Sequence, residues 1–155
     1  MSLVLRVTGG NKFQKSICND TIQFAINRLL PNIRKLDVNI QIKKFKDGDD
    51  CIGYCLDDSS DPVDYVGKSP RRFVIEISNA LNLTEFIRCI LHEFIHLKQY
   101  VLGEMEELGD GSTRWKSRAC SRKMKYHDTP WEKEAYRLES RLMWEALEIQ
   151  EIKIG

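Results

Sequence analysis

Over residues 36–45 the apolar side chains Leu36, Val38, Ile40 and Ile42 alternate with mostly polar ones, the period of two expected of a strand with one buried face. The segment before it keeps a different period. Cys18, Ile22, Ala25 and Leu29 recur at intervals of three or four, which predicts an amphipathic helix over 15–30 that Pro31 ends. A short strand over 3–7 precedes Thr8, Gly9 and Gly10. After a turn at 46–50, strands are predicted at 51–56 and 73–78. The polar segment 57–72, with Pro62, Gly67 and Pro70, reads as a loop.

Two longer helices follow. Phe86, Ile90, Leu97 and Val101 form the apolar stripe of a helix over 85–102, with Thr84 placed to cap it and Gly103 to end it. Thr129 followed by Pro130 is a good helix start, and Trp131, Ala135, Leu138, Leu142, Ala146 and Ile149 carry the stripe of a helix to about residue 150. A helix, strands and then a pair of helices predict an α+β domain in which a small sheet packs against helices. A length of 155 residues is enough for one core and short for two, so 1–155 is read as a single domain.

Charge and composition narrow the function classes. Twenty-four Lys and Arg nearly balance 23 Asp and Glu, so net charge gives no reason to expect nucleic acid, membrane or polyanion as the main partner. No apolar run approaches the roughly 18 residues of a membrane span, and a cytoplasmic location is expected. Five scattered cysteines (Cys18, Cys51, Cys55, Cys89 and Cys120) fit reduced thiols better than a disulfide framework. Cys51 and Cys55 have three residues between them rather than the usual two, with no second pair at zinc-finger distance, so they are read as small, half-buried strand residues.

The chemistry lies in His92-Glu93-Phe94-Ile95-His96, on the first of the two long helices. Four residues advance a helix by slightly more than a turn, so both imidazoles point the same way, as two ligands of one zinc ion require. Glu93 then stands beside the metal, where it can take a proton from water as general base.

This motif, together with Pro130-Trp131-Glu132-Lys133-Glu134-Ala135 downstream, resembles the zincin metallopeptidases. Within them the chain is similar to small phage metallopeptidases and, more distantly, to the ImmA/IrrE-like and SprT-like families. The resemblance covers roughly residues 84–149 and implies a zincin-like fold, a Zn2+ cofactor, peptide-bond hydrolysis and a third metal ligand after the first helix. Candidates for that ligand are Glu134, Glu132, His127 and Asp110. Glu132 and Glu134 flank the apolar stripe on opposite sides, and periodicity alone does not choose between them. Thr129-x-x-Glu132 is a capping box that would occupy Glu132, whereas the resemblance places a ligand Glu before a small residue, as in Glu134-Ala135, so Glu134 is preferred. Asp110-Gly111 stands where the SprT-like pattern has His-Gly, a departure from that family.

The expected enzyme is a zinc metallopeptidase acting on a peptide or protein. Tyr126, His127 and Tyr136 are candidate donors to its oxyanion, and 73–77 is a strand that serves either as an edge for an extended substrate or as ordinary core. Arg114, Lys116, Arg118, Arg122, Lys123 and Lys125 surround Trp115, and the run 114–125 is the one place where nucleic acid could bind. With overall charge balanced, it is read first as a solvated face opposing Glu104, Glu106, Glu107 and Asp110. The alternative function is a DNA-associated or other binding protein with a structural zinc.

Overall fold

The structure, a computed structural model, describes residues 2–46, 50–56, 71–108, 112–121 and 123–148. The segment with period two forms β2 (Lys35–Lys43), in which Leu36, Val38, Ile40 and Ile42 are buried and the alternate Asp37, Asn39 and Gln41 are half-buried. It lies between β1 (Ser2–Gly9) and β4 (Arg72–Ser78), parallel to both, with Leu5 opposite Val38 and Val38 opposite Phe73. Among the described residues, β3 (Cys51–Leu56) is the outermost strand, antiparallel to β4, in the order β1-β2-β4-β3. Residues 73–77 are therefore interior, bonded on both sides, and the substrate-edge reading of that strand does not hold. The expected turn at 46–50 and loop at 57–72 fall largely on residues 47–49 and 57–70, outside the described ones.

Helix α1 (Lys12–Leu29) joins β1 to β2 and starts three residues earlier than its apolar spacing suggests. Asn11 sets that start: its Oδ1 accepts from the Gln14 amide at 2.8 Å while Gln14 Oε1 accepts from the Asn11 amide at 3.0 Å, a reciprocal cap. The same residue type corrects the start of α2 (Leu83–Val101), where Asn82 rather than Thr84 is the cap and accepts from the Glu85 amide at 2.9 Å. Gly103, at φ 72°, follows its C-terminus as expected. Apolar faces of α1, α2 and the sheet merge into one core, which Ala135, Leu142 and Ala146 of α3 (Pro130–Glu148) complete. The molecule is α+β, and no helix among the described residues is long and apolar enough to cross a membrane.

Between α2 and α3 lies a second sheet that the sequence did not announce: β5 (Met105–Glu107), β6 (Thr113–Trp115) and β7 (Arg118–Cys120), all antiparallel. Its strands are three residues each, too short to display a period. The β6–β7 turn places Lys116 and Ser117 at φ 47° and 74°, without the Asn-Gly or Asp-Gly pair that normally advertises such a hairpin. A 3₁₀ turn over Tyr126–Asp128 then leads into α3.

At the end of β1 the chain reverses through Gly9, at φ 75°, where a Cβ would collide with the backbone carbonyl of Ile42. Gly9→Ala is expected to lower stability by about 1–3 kcal/mol, read as a fall in the urea midpoint. A midpoint equal to that of wild type would show that this turn is not constrained as described.

Candidate metal centre

Helix periodicity puts His92, His96 and Gln99 on one stripe of α2, and Glu132, Ala135 and Glu139 on one stripe of α3. These two helices pack together with the small, fully buried Ala135 in the middle of the α3 stripe. His92 Nδ1 meets Glu139 Oε2 at 3.0 Å, and His96 Nδ1 meets Gln99 Oε1 at 2.8 Å. With Nδ1 occupied on each ring, both Nε2 atoms converge, 3.3 Å apart. The Glu132 carboxylate spans them, with Oε1 at 3.0 Å from His92 Nε2 and Oε2 at 2.8 Å from His96 Nε2.

Two imidazole nitrogens and a carboxylate oxygen are an ordinary donor set for a divalent metal. A tetrahedral shell with bonds near 2.0–2.1 Å spaces its ligand atoms about 3.3 Å apart, close to the separations found here. Among the described residues, His92, His96 and Glu132 form the group that can hold a metal ion.

The arrangement is costly without a purpose. Glu132, Glu134 and Glu139 are all buried on one helix, and an unpaired buried charge destabilises by about 3–5 kcal/mol. Burial pulls the His92 pKa down, but its hydrogen bonds and charge interactions with Glu132 and Glu139 outweigh this and carry it up to about 10. His96 is raised for the same reasons, with burial opposed by Glu132 and Gln99. Glu132 is the reciprocal case: burial favours its neutral form, yet the two histidines hold its carboxyl down at about 2.

Glu93 lies one residue along α2 from His92, against β3. A Cβ placed on Gly53 would come within 2.5 Å of Glu93 Oε2, so the carboxylate occupies space that only glycine leaves free. Burial pushes the Glu93 carboxyl pKa above its usual range, although His96, His92 and the Cys51 thiol pull it the other way. Gly53 and His96, with Tyr100, Met105, Glu107, Thr113, Trp131 and Glu132, also line an open cleft of about 150 Å³. The cluster therefore has access to solvent and to a small ligand or side chain.

The expected third ligand is placed differently. Glu134 does not join the cluster: its Oε1 accepts from Lys98 Nζ at 2.9 Å and from Gln99 Nε2 at 3.2 Å, while Glu132 faces the histidines. The cap assigned to Glu132 is not made, because its carboxylate is turned to the imidazoles and the Thr129 hydroxyl donates to the Tyr126 carbonyl at 2.8 Å. His127 is exposed in the 3₁₀ turn, stacked edge-on against Tyr126, and Asp110 lies outside the described residues. Two contributors went unread in the sequence, Glu139 and Gln99. Each sits seven residues from a cluster member on its own helix, Glu139 from Glu132 and Gln99 from His92, and that spacing was the available signal.

No protein-family model, curated protein or solved structure matches the chain. What the site can do rests on its geometry. Cys51 is no member of the cluster: its thiol lies 3.8 Å from the Cys89 carbonyl, and the hydrogen bond with Cys89, burial and the Glu93 charge all push its pKa up, which suits an inert structural thiol. The Cys55 side chain is outside what is described. In the basic run, Arg114 pairs with Glu106 at 3.4 Å, and Lys116 approaches Glu104 and Glu134 at 3.8 Å. Arg122 falls outside the described residues.

The cluster dictates how the metal-free protein responds to pH. His92 has its folded pKa raised from 6.5 to about 10, so its contribution to stability is complete below pH 6.5 and is lost as pH rises toward 10. Glu132 has its folded pKa lowered from 4.5 to about 2, so its contribution is present above pH 4.5 and is lost as pH falls toward 2. Chelator-treated protein should accordingly show its highest urea midpoint between those limbs, and Glu132→Gln should remove the acid limb and shrink the alkaline one, which the Glu139 contact with His92 still sustains. A wild-type midpoint that does not change between pH 6.5 and 10 would contradict the pairing.

Proposed function

We propose that this protein is a zinc-dependent metallopeptidase, in which His92, His96 and Glu132 hold the metal and Glu93 is the general base. The observation that carries the reading is the convergence of both Nε2 atoms and the Glu132 carboxylate beside an open cleft, with Glu93 held against Gly53 at the same place. Two histidines and a glutamate with an accessible side are the ligand pattern of a catalytic zinc, whereas a structural zinc is closed by four protein ligands.

A bound zinc supplies Lewis acidity, acidifying a water and polarising a carbonyl. The remaining tasks belong to the chain. Glu93 takes a proton and returns it to the leaving amine; burial, which raises its carboxyl pKa, brings it nearer the range where one group can do both. Glu139 and Gln99 keep His92 and His96 in the tautomer with Nε2 facing the centre. Tyr136, whose ring lies 4.9 Å from that of His92, and the exposed Tyr126 offer O–H donors at the rim.

An extended peptide suits the surroundings. β3 is the outer strand of its sheet among the described residues, and Gly53 at its middle lines the cleft, so backbone pairing along β3 would bring a peptide past Glu93. Ion pairing of Arg114 and Lys116 with Glu104, Glu106 and Glu134 favours a solvated face over a nucleic-acid surface.

Purified protein should carry about one zinc per chain, and changing both His92 and His96 to Ala should abolish binding. Glu93→Gln is expected to retain zinc while cleavage of an unstructured protein such as casein falls by about a hundredfold or more. Glu132→Gln should lose metal affinity and activity together. Cleavage by Glu93→Gln at the wild-type rate would refute the assignment of the base, and normal zinc content in Glu132→Gln would refute that of the ligand.

A further inference from the structure

Gln99 is fully buried in the second half of α2, and both ends of its amide are engaged. Nε2 donates to the Trp131 carbonyl at 3.0 Å and to Glu134 Oε1 at 3.2 Å, while Oε1 lies 2.8 Å from His96 Nδ1. A backbone carbonyl can only accept, and so can an ionised carboxylate. Glu134 is held by Lys98 Nζ at 2.9 Å, and Lys98 is anchored in turn by Glu104 at 2.7 Å. With two acceptors on the α3 side, the NH2 group of Gln99 has no other orientation, its oxygen must face His96, and His96 Nδ1 must be the donor.

We propose that Gln99 and Glu134 are positioning residues of the metal centre: Glu134, clamped by Lys98, orients the Gln99 amide, and Gln99 in turn fixes His96 with its Nε2 toward His92 and Glu132, where a metal would bind. The proposal rests on the reading that this cluster binds zinc. It separates the two ligand histidines, since His92 leans on the carboxylate of Glu139 and His96 on a neutral amide backed by a carboxylate one step away. It also gives Glu134 a role without contact to the metal.

The test uses the full chain with Zn2+ as the probe. Replacing Gln99 with Leu preserves bulk but removes the acceptor, so Zn2+ affinity, measured by competition with a chromogenic chelator, should fall by about 10–100-fold. Gln99→Glu alone keeps an acceptor for His96 but turns a carboxylate oxygen toward both the Trp131 carbonyl and Glu134; adding Glu134→Gln removes the second of these clashes, so the double variant should bind Zn2+ more tightly than Gln99→Glu alone. Filling space alone would not produce that rescue. A second readout needs no metal: the chain has three histidines, so 15N-histidine labelling should resolve a slowly exchanging His96 Nδ1 proton in chelator-treated wild type, absent in Gln99→Leu. Wild-type affinity in Gln99→Leu, or no protected proton in wild type, overturns the proposal. Should Gln99→Leu fail to fold, the comparison of Gln99→Glu with the double variant decides, and no gain in Zn2+ affinity on adding Glu134→Gln is the overturning result. If the proton behaves as expected while wild type binds no Zn2+, the positioning of His96 stands and the metallopeptidase reading falls.

Discussion

Three buried carboxylates and two imidazoles, one buried and one half-buried, share one helix seam that is stable only if each charge finds a partner, and the α2–α3 packing is organised around that demand. Glu132 is satisfied by both histidines, Glu139 by His92, and Glu134 by Lys98 and Gln99. None of these contacts survives a rotation of either helix by one residue, about 100°, so the polar pairs fix the phase of the helices as firmly as the apolar core does. Ala135 permits the approach, because a larger side chain in the middle of the seam would part the stripes. The capping of α2 by Asn82 and the opening of α3 at Pro130 set where each stripe begins.

Much of the scaffold could be read in the chain. β2 shows its buried face as a bare alternation, α1 and α2 show theirs as intervals of three and four, and the His92/His96 pair follows from helix geometry alone. What failed depends on contacts between distant segments. Glu132 and Glu134 sit on opposite shoulders of the same apolar stripe, and only the angle at which α3 meets α2 decides which faces the histidines. Local reasoning favoured the other shoulder, Glu134, since a capping box is a real alternative use for Glu132. Lys98 had to be placed in space before Glu134 had a partner. Glu139 and Gln99 were visible as spacings of seven, but a polar residue at such a spacing is usually solvated, and nothing local marks these two as buried. The three short strands of the second sheet derive their form from pairing with each other, which no short window of sequence contains.

The strand order bears on how the cleft is walled. Because β4 is interior, the outer strand nearest α2 is β3, and its glycine at position 53 admits Glu93. The opposite wall comes from the β5–β7 sheet, which contributes Met105, Glu107 and Thr113 and is tied back to the seam where Glu104 meets Lys98. The cluster therefore lies between two sheets that share no strand among the described residues.

His92 and Glu132 are 40 positions apart along the chain, yet they point at the same atom-sized volume. Any ion chelated by both ties together the ends of a long loop that contains the whole second sheet, and because those ligands meet only in the folded chain, its binding free energy adds to that of folding. The residues proposed for chemistry are thus also a clasp: occupancy by metal and the docking of the C-terminal helix are one equilibrium seen from two ends.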